Sequence, residues 1–280
     1  MGGLALRSKD SGFGGLSGLA VERRDDFWRV IGVTDRGNKF TGRLILEDGY
    51  LRGVEAATLE ALLDQKGRRI AGRANGDAES VTRLPNGDLL VGFERHHRLW
   101  TYGPGITGSA VPHIAPKAIR KAPANGGIEA LASWPDGRIL AIAQGLTSRK
   151  GTSAAFLFTG RSWKKMKWKP SSKDFDAADA TALPNGDLLV LERLWSIRNP
   201  LSPRARITRV SGASVRAGAT IEGEVLAELK APLATENFEG LTAFTNAAGR
   251  TQLLLLSDDN FTGLQRTLLM SFEMPETPAS

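Results

Sequence analysis

The 280-residue chain contains no cysteine. That removes disulfides, thiolate zinc sites, iron–sulfur clusters and cysteine nucleophiles together. It leaves the redox compartment open, because a thiol-free protein tolerates oxidising and reducing surroundings alike. Histidine is almost as scarce: His96, His97 and His113 are the whole complement. A three-histidine metal centre is therefore disfavoured, and any Ser-His-Asp machinery would have to recruit one of these three. No stretch approaches the roughly 20 apolar residues that span a bilayer. The first nine residues lack the charged head and apolar run of a secretory leader, although a trimmed leader would leave the same start. Helical patterning is weak, with residues 55–63 offering one helical turn or two.

What the chain has is ordinary globular composition and a basic balance. Hydrophobic residues make up 41% and charged residues 24%, which argues against wholesale disorder, and 37 Lys+Arg against 30 Asp+Glu give a net charge of +7. That excess favours encounters with anions. The strongest pattern is an internal repeat. Leu84-Pro-Asn-Gly-Asp-Leu-Leu-Val91 recurs as Leu183-Pro-Asn-Gly-Asp-Leu-Leu-Val190, with Trp134-Pro-Asp-Gly-Arg-Ile-Leu-Ala141 between them. The turn glycines Gly87, Gly137 and Gly186 are 50 and 49 residues apart. Each unit reads as a strand, a tight Pro-Asx-Gly turn and a buried strand. Degenerate copies flank the three, one running through Arg23-Arg-Asp-Asp26 and one through Asn246-Ala-Ala-Gly249.

Five hairpins at intervals of about 50–60 residues match four-stranded propeller blades. Residues 42–46, 98–102, 155–158, 206–210 and 267–272 supply further strands at similar distances after each hairpin. The last blade then lacks one strand, while residues 3–7 have no partner. The expectation is an all-β fold, a single domain over residues 1–280: a five-bladed β-propeller closed by an N-terminal strand joining the last blade. Six blades follow if a long connection hides another hairpin.

Aligned hairpins place an acid at the start of the first strand: Glu79, Glu129, Asp179 and Glu239, with Ser17 in the first copy. A second polar group closes the second strand: Asp35, Glu94, Gln144, Glu192 and Asp258. In an antiparallel hairpin these two positions lie at the same end, so the groups gather on one face of the ring. Such a cluster must be protonated, paired with arginine or bound to metal. Arg36, Arg95 and Arg193 follow the acids closely and are expected to reach carboxylates of neighbouring blades. Oxygen donors without histidine or thiolate suit Ca²⁺, or Mg²⁺, far better than zinc. The expected metal ligands are Asp35, Glu79, Glu129, Glu192, Glu239 and Asp258; the expected catalytic groups are Glu79, Glu129, Glu239, Arg36, Arg95 and Arg193. His96 and His97, just after Glu94, are candidate bases. Ser17 is no nucleophile elbow, because it occupies a strand position and lacks the second spacing glycine.

Gly-Leu-Ser-Gly-Leu at 15–19, Asp-Arg-Gly at 35–37, Gly-Ile-Glu-Ala-Leu at 127–131, Leu-Glu-Arg at 191–193, Asn-Phe-Glu-Gly-Leu at 237–241 and Ser-Asp-Asp-Asn-Phe at 257–261 together resemble the phytase-like domain family. These proteins carry the label "esterase-like activity of phytase" and are mostly exported bacterial propellers. The resemblance implies a hydrolase of phosphate or carboxylate esters and a periplasmic or secreted location. Gln144, where the aligned hairpins mostly carry an acid, departs from the pattern and would weaken a ligand there. The same acidic mouth would also serve a non-catalytic binding module with a structural metal. A third reading, anionic polymer binding through Arg161-Ser-Trp-Lys-Lys-Met-Lys-Trp-Lys169, competes with an outer strand bearing a lysine-rich solvent face. The expected partner is an anionic small molecule rather than nucleic acid, and the expected state a monomer.

Overall fold

A computed structural model describes residues 2–70, 72–194, 203–231, 236–262 and 264–275. After the N-terminal strand β1 (Gly2–Ala5), the chain builds its sheets in sequence order. The first blade holds β2 (Leu16–Arg24), β3 (Phe27–Thr34), β4 (Asn38–Glu47) and β5 (Tyr50–Ala61). A single helical turn, α1 (Arg73–Gly76), leads into the second: β6 (Ala78–Arg83), β7 (Leu89–Phe93), β8 (Arg98–Gly103) and β9 (Thr107–His113). The third holds β10 (Ile128–Ser133), β11 (Ile139–Thr147), β12 (Ser153–Phe158) and β13 (Trp163–Trp168). The fourth holds β14 (Asp176–Ala182), β15 (Leu188–Leu194), β16 (Arg204–Val210) and β18 (Glu224–Leu229), while the two-residue β17 (Thr220–Ile221) before β18 joins the third sheet as a fifth strand. The fifth holds β19 (Asn237–Thr245), β20 (Thr251–Asp258) and β21 (Leu268–Glu273). Its fourth strand is β1, antiparallel to β21 from Gly2 opposite Ser271 to Ala5 opposite Leu268. The ring is therefore a five-bladed propeller joined through its two ends, which removes two exposed sheet edges.

The repeated turns explain the repeated sequence. In blades two to five the residue opening the turn donates to the carbonyl four positions on, and the glycine N–H bonds back to it: Leu84, Trp134, Leu183 and Asn246 with Gly87, Gly137, Gly186 and Gly249. The four glycines have φ between 78° and 91°, a region costly for any residue bearing a Cβ. The strand after each turn lies between two neighbouring blades, so both of its faces are buried. That is why Leu89–Phe93 reads as a continuous apolar run rather than an alternating one, and all five of its residues are buried. Between blades three and four, Trp134, Leu140, Met166, Trp168 and Ile221 pack against Leu188, Val190 and Val210.

The helical reading of residues 55–63 is corrected: most of the segment is outer strand β5. Ala56 has φ 48°, and the register slips between Thr41 opposite Thr58 and Arg43 opposite Glu55. This bulge breaks the two-residue alternation, and Leu59, Leu62 and Leu63 fall at the i, i+3, i+4 spacing of a helix. The basic segment is an outer strand, as one of its two readings held. Lys164, Lys165 and Lys167 are exposed and Met166 and Trp168 buried in β13, whose end is covered by β17 running parallel to it. No helix among the described residues is long and apolar enough to cross a membrane.

Each innermost strand carries a bulge near its start, where the register slips around Gly18, Glu79, Glu129, Ala178 and Glu239. Asp179 therefore sits one place beyond the position held by the three glutamates. Fully buried, its Oδ2 accepts the N–H of Leu19 at 3.3 Å and of Leu241 at 2.8 Å, and its Oδ1 accepts that of Ala180 at 2.8 Å. One carboxylate thus joins the inner strands of blades one, four and five. Burial raises its pKa well above the usual carboxylate range against the pull of these N–H groups. Asp179→Ala leaves three buried N–H donors without an acceptor, at about 1–3 kcal/mol each. We expect a loss of about 3 kcal/mol or more in urea unfolding; a loss below about 1 kcal/mol would contradict this role.

Candidate functional site at the acidic mouth

The bulges decide which side chains meet at the axis. The inserted residues Glu79, Glu129 and Glu239 line a cavity of about 300 Å³ at one end of the ring. In blade four the equivalent residue is Ala178. In blade one it is Gly18, with φ 51°, where an added Cβ would lie 2.8 Å from the backbone nitrogen of Val81. The ends of the second strands add Glu94, Gln144, Arg193 and Asp258, and the turn after β3 adds Asp35. Ser17, Arg73, Asn125, Asn237 and Asn260 complete the wall.

Of the expected metal ligands, Asp35, Glu79, Glu129, Glu239 and Asp258 therefore come together, and Glu192 does not. It is wholly buried inside the fourth blade, where its two oxygens accept the Ser171 N–H at 2.7 Å and the Thr208 hydroxyl at 2.6 Å. Counting from the turn shows why. Arg193 lies ten places after Leu183, as Glu94 does after Leu84 and Gln144 after Trp134, so Arg193 holds the mouth position and its neighbour points away. Of the expected arginines, only Arg193 lines the mouth. Arg36 stacks on Phe261, with Cζ 3.3 Å from the ring centre. Arg95 donates from Nε to Asp77 Oδ2 at 2.5 Å, within its own blade rather than to a neighbour. His96 and His97 lie outside the lining as well: Nδ1 of His96 contacts Asn75 Oδ1 at 2.9 Å, and Nε2 of His97 faces the Ala122 carbonyl at 3.3 Å.

Three different devices handle the crowded negative charge. Glu239 is neutralised across the blade boundary: Arg193 Nη1 donates to Oε1 at 2.5 Å, Asn237 Nδ2 donates to the same oxygen, and Ser17 donates to Oε2 at 3.1 Å. Glu94 and Glu129 instead share a hydrogen bond that needs a proton. Burial followed by that bond raises Glu129 well above the carboxylate range, and burial pushes Glu94 up to about 7. Burial also raises Asp258, with Glu239 adding to it, and lifts Asp35 to about 6 against the opposing charge of Arg73.

The third device centres on Asp77, Glu79 and Glu94. Each offers an oxygen, and the three oxygens lie within 4.8 Å of one another. Asp77 is fully buried, and among the described residues no N–H or hydroxyl donates a hydrogen bond to its Oδ1 or to the buried Oδ1 of Asp35. Arg73, largely exposed, reaches between them with Nε 3.5 Å from Asp77 Oδ1 and 3.6 Å from Asp35 Oδ2. Burial, the nearby charges of Glu129, Glu239 and Asp77, and a proton shared with Asp77 drive Glu79 well above the usual range. An oxygen-only donor set with an unsatisfied buried oxygen fits a hard divalent cation. Asp77 escaped the repeat analysis because it precedes the first strand, although Asp176 stands at the same distance before its turn.

The match to known proteins agrees with this architecture. The phytase-like profile, described as "Esterase-like activity of phytase", covers residues 11–261. The chain belongs to the phytase-like family. No curated protein matches it by sequence. Among solved structures this phytase-like chain resembles an α-L-arabinofuranosidase from Podospora anserina, with a TM-score of 0.58 and 11% identity over 96% of this chain and 94% of that one. An endo-arabinase from Bacteroides thetaiotaomicron gives a TM-score of 0.54 and 12% identity over 95% of each chain. At such identities the likeness is one of fold.

The raised acids set the pH dependence of stability. A carboxyl whose folded pKa lies above its unfolded value stabilises the fold while protonated, and that contribution is lost as pH rises toward the folded value. For Asp35 and Glu94 the window runs from about pH 4 to about pH 7. The chelated protein should therefore melt several degrees lower at pH 8 than at pH 5.5. Added Ca²⁺ should remove most of the difference. Scanning calorimetry at both pH values tests this, and a melting temperature that rises with pH in chelator would refute it.

Proposed function

We propose that the protein is a divalent-cation-dependent hydrolase of small anionic esters, phosphate esters foremost, acting at the acidic mouth. The observation that carries this reading is the unsatisfied, fully buried Asp77 oxygen within reach of Glu79 and Glu94. These three residues would hold Ca²⁺, with Mg²⁺ as the alternative. When bound, such a cation polarises the ester oxygen and makes a coordinated water more acidic.

The chain's own residues supply the remainder. Six carboxylates line the cavity among the described residues against two arginines, Arg73 and Arg193, so an anion is repelled unless further positive charge is present. Arg193 is fixed at Nη1 by Glu239 and Asn237, and among the described residues its other N–H groups make no hydrogen bond and can meet an anion's oxygens. Glu239 thus acts as a positioning residue. Glu129, holding a proton against Glu94, is placed to protonate the leaving oxygen. Within this reading an exported location follows the family.

The test is turnover of p-nitrophenyl phosphate and p-nitrophenyl acetate with and without chelator. Activity should vanish in chelator and return with Ca²⁺. Glu79→Gln should lower kcat/KM by about 10²-fold or more, the scale for removing one electrostatic stabiliser of the transition state, without changing the circular dichroism. A cation that raises the melting temperature while no ester is turned over would overturn the catalytic reading in favour of a binding propeller.

A further inference from the structure

A second cavity, of about 610 Å³, adjoins the mouth and has the opposite charge. The two share their walls: Arg73 and Glu94 line the acidic mouth, while Asn75 of α1 and His96 of the turn after β7 line the second cavity. Arg68, Arg69, Arg98 and Asp64 supply its charge, and Ile70 and Trp100 its apolar wall. Asp64 is already matched, because Arg68 donates to its Oδ2 from Nε at 2.9 Å and from Nη2 at 2.7 Å. Two arginines remain uncompensated. Arg69 is exposed, and among the described residues neither it nor Arg98 pairs with a carboxylate.

Arg98 is the unusual one. Its guanidinium stacks on two rings, with Cζ 3.9 Å from the Phe93 centroid and 4.2 Å from that of Trp100. Nη1 donates to the His96 carbonyl at 2.9 Å and Nη2 to that of Asn75, so main-chain oxygens hold the group in place without neutralising it. Its Nε is buried and has no acceptor among the described residues. Burial lowers its pKa to about 10. A partly desolvated cation held flat beside neutral carbonyls, with no carboxylate partner among the described residues, keeps one N–H on each Nη that an anion's oxygens can accept.

We propose that this cavity binds the oxyanion group of a ligand, a phosphate, sulfate or carboxylate held by Arg98 and Arg69, whose apolar portion lies against Ile70 and Trp100. The assignment does not depend on the hydrolase reading, because none of its residues belongs to the carboxylate cluster. Where both hold, the shared wall puts the two charged ends of one elongated anionic ligand in adjoining cavities.

The test is calorimetric titration of the full chain in chelator, where the mouth carboxylates repel anions, with inorganic phosphate, inorganic sulfate and acetate in separate arms. Saturable binding of at least one anion at one site per chain is expected, and the tightest arm names the group. Arg98→Gln should weaken it tenfold or more. Arg69→Gln, at an exposed side chain with no packing role, should weaken it several-fold and keeps the test valid if the Arg98 variant misfolds. Lys165→Gln, which removes one positive charge from the solvent face of β13, should leave it unchanged. Absence of saturable binding in all three arms, or binding that Arg69→Gln and Lys165→Gln affect equally, would overturn the proposal.

Discussion

The extra residue inserted near the start of each innermost strand governs which side chains face the axis, and the chemistry of the molecule follows from it. Side chains alternate across a strand, so a one-residue insertion reverses the facing of everything after it. Glu79, Glu129 and Glu239 occupy the insertion and reach the mouth. Asp179, one place later, is drawn inward to the N–H groups of Leu19, Ala180 and Leu241. Two kinds of acid that look equivalent in the repeat thus do different work. The glutamates create a field, and the aspartate ties together the blades that hold it.

That field is the functional constraint. Carboxylates brought this close and partly removed from water cannot all be ionised and unpaired. The fold answers with Arg193 on Glu239, a proton between Glu94 and Glu129, and a buried Asp77 oxygen left open beside Glu79. The first two solutions are complete within the chain; the third leans only on Arg73, 3.5 Å from that oxygen, and it is there that we propose a cation binds. The overall charge of +7 sits largely elsewhere, with Arg69 and Arg98 gathering part of it just across the wall formed by α1 and the turn after β7.

Much of the fold was legible because it rests on local rules repeated along the chain. A Pro-Asx-Gly turn followed by an apolar run needs no distant partner to be read, and the spare strand at residues 3–7 was matched to a blade one strand short. The opposite case is the outer strand at residues 55–63, where a bulge at Ala56 disguised the alternation. In the site, the face of the ring was legible from hairpin geometry, but the blade-four positions were misaligned by one residue. Asp179 and Glu192 are acids adjacent to the mouth positions, which Ala178 and Arg193 hold. Spacing from the turn carries that information, whereas residue type alone misleads. Asp77 and the Arg98 cavity depend on contacts between separate segments, which no periodicity records.

The open oxygen of Asp77 marks the proposed cation position. Crystals grown with Mn²⁺, which takes the same oxygen donors and scatters anomalously, address it most directly. An anomalous peak about 2–2.6 Å from oxygens of Asp77, Glu79 and Glu94 together is expected. A peak bound only by Asp258 and its neighbours, or a mouth with no peak at saturating metal, would contradict it.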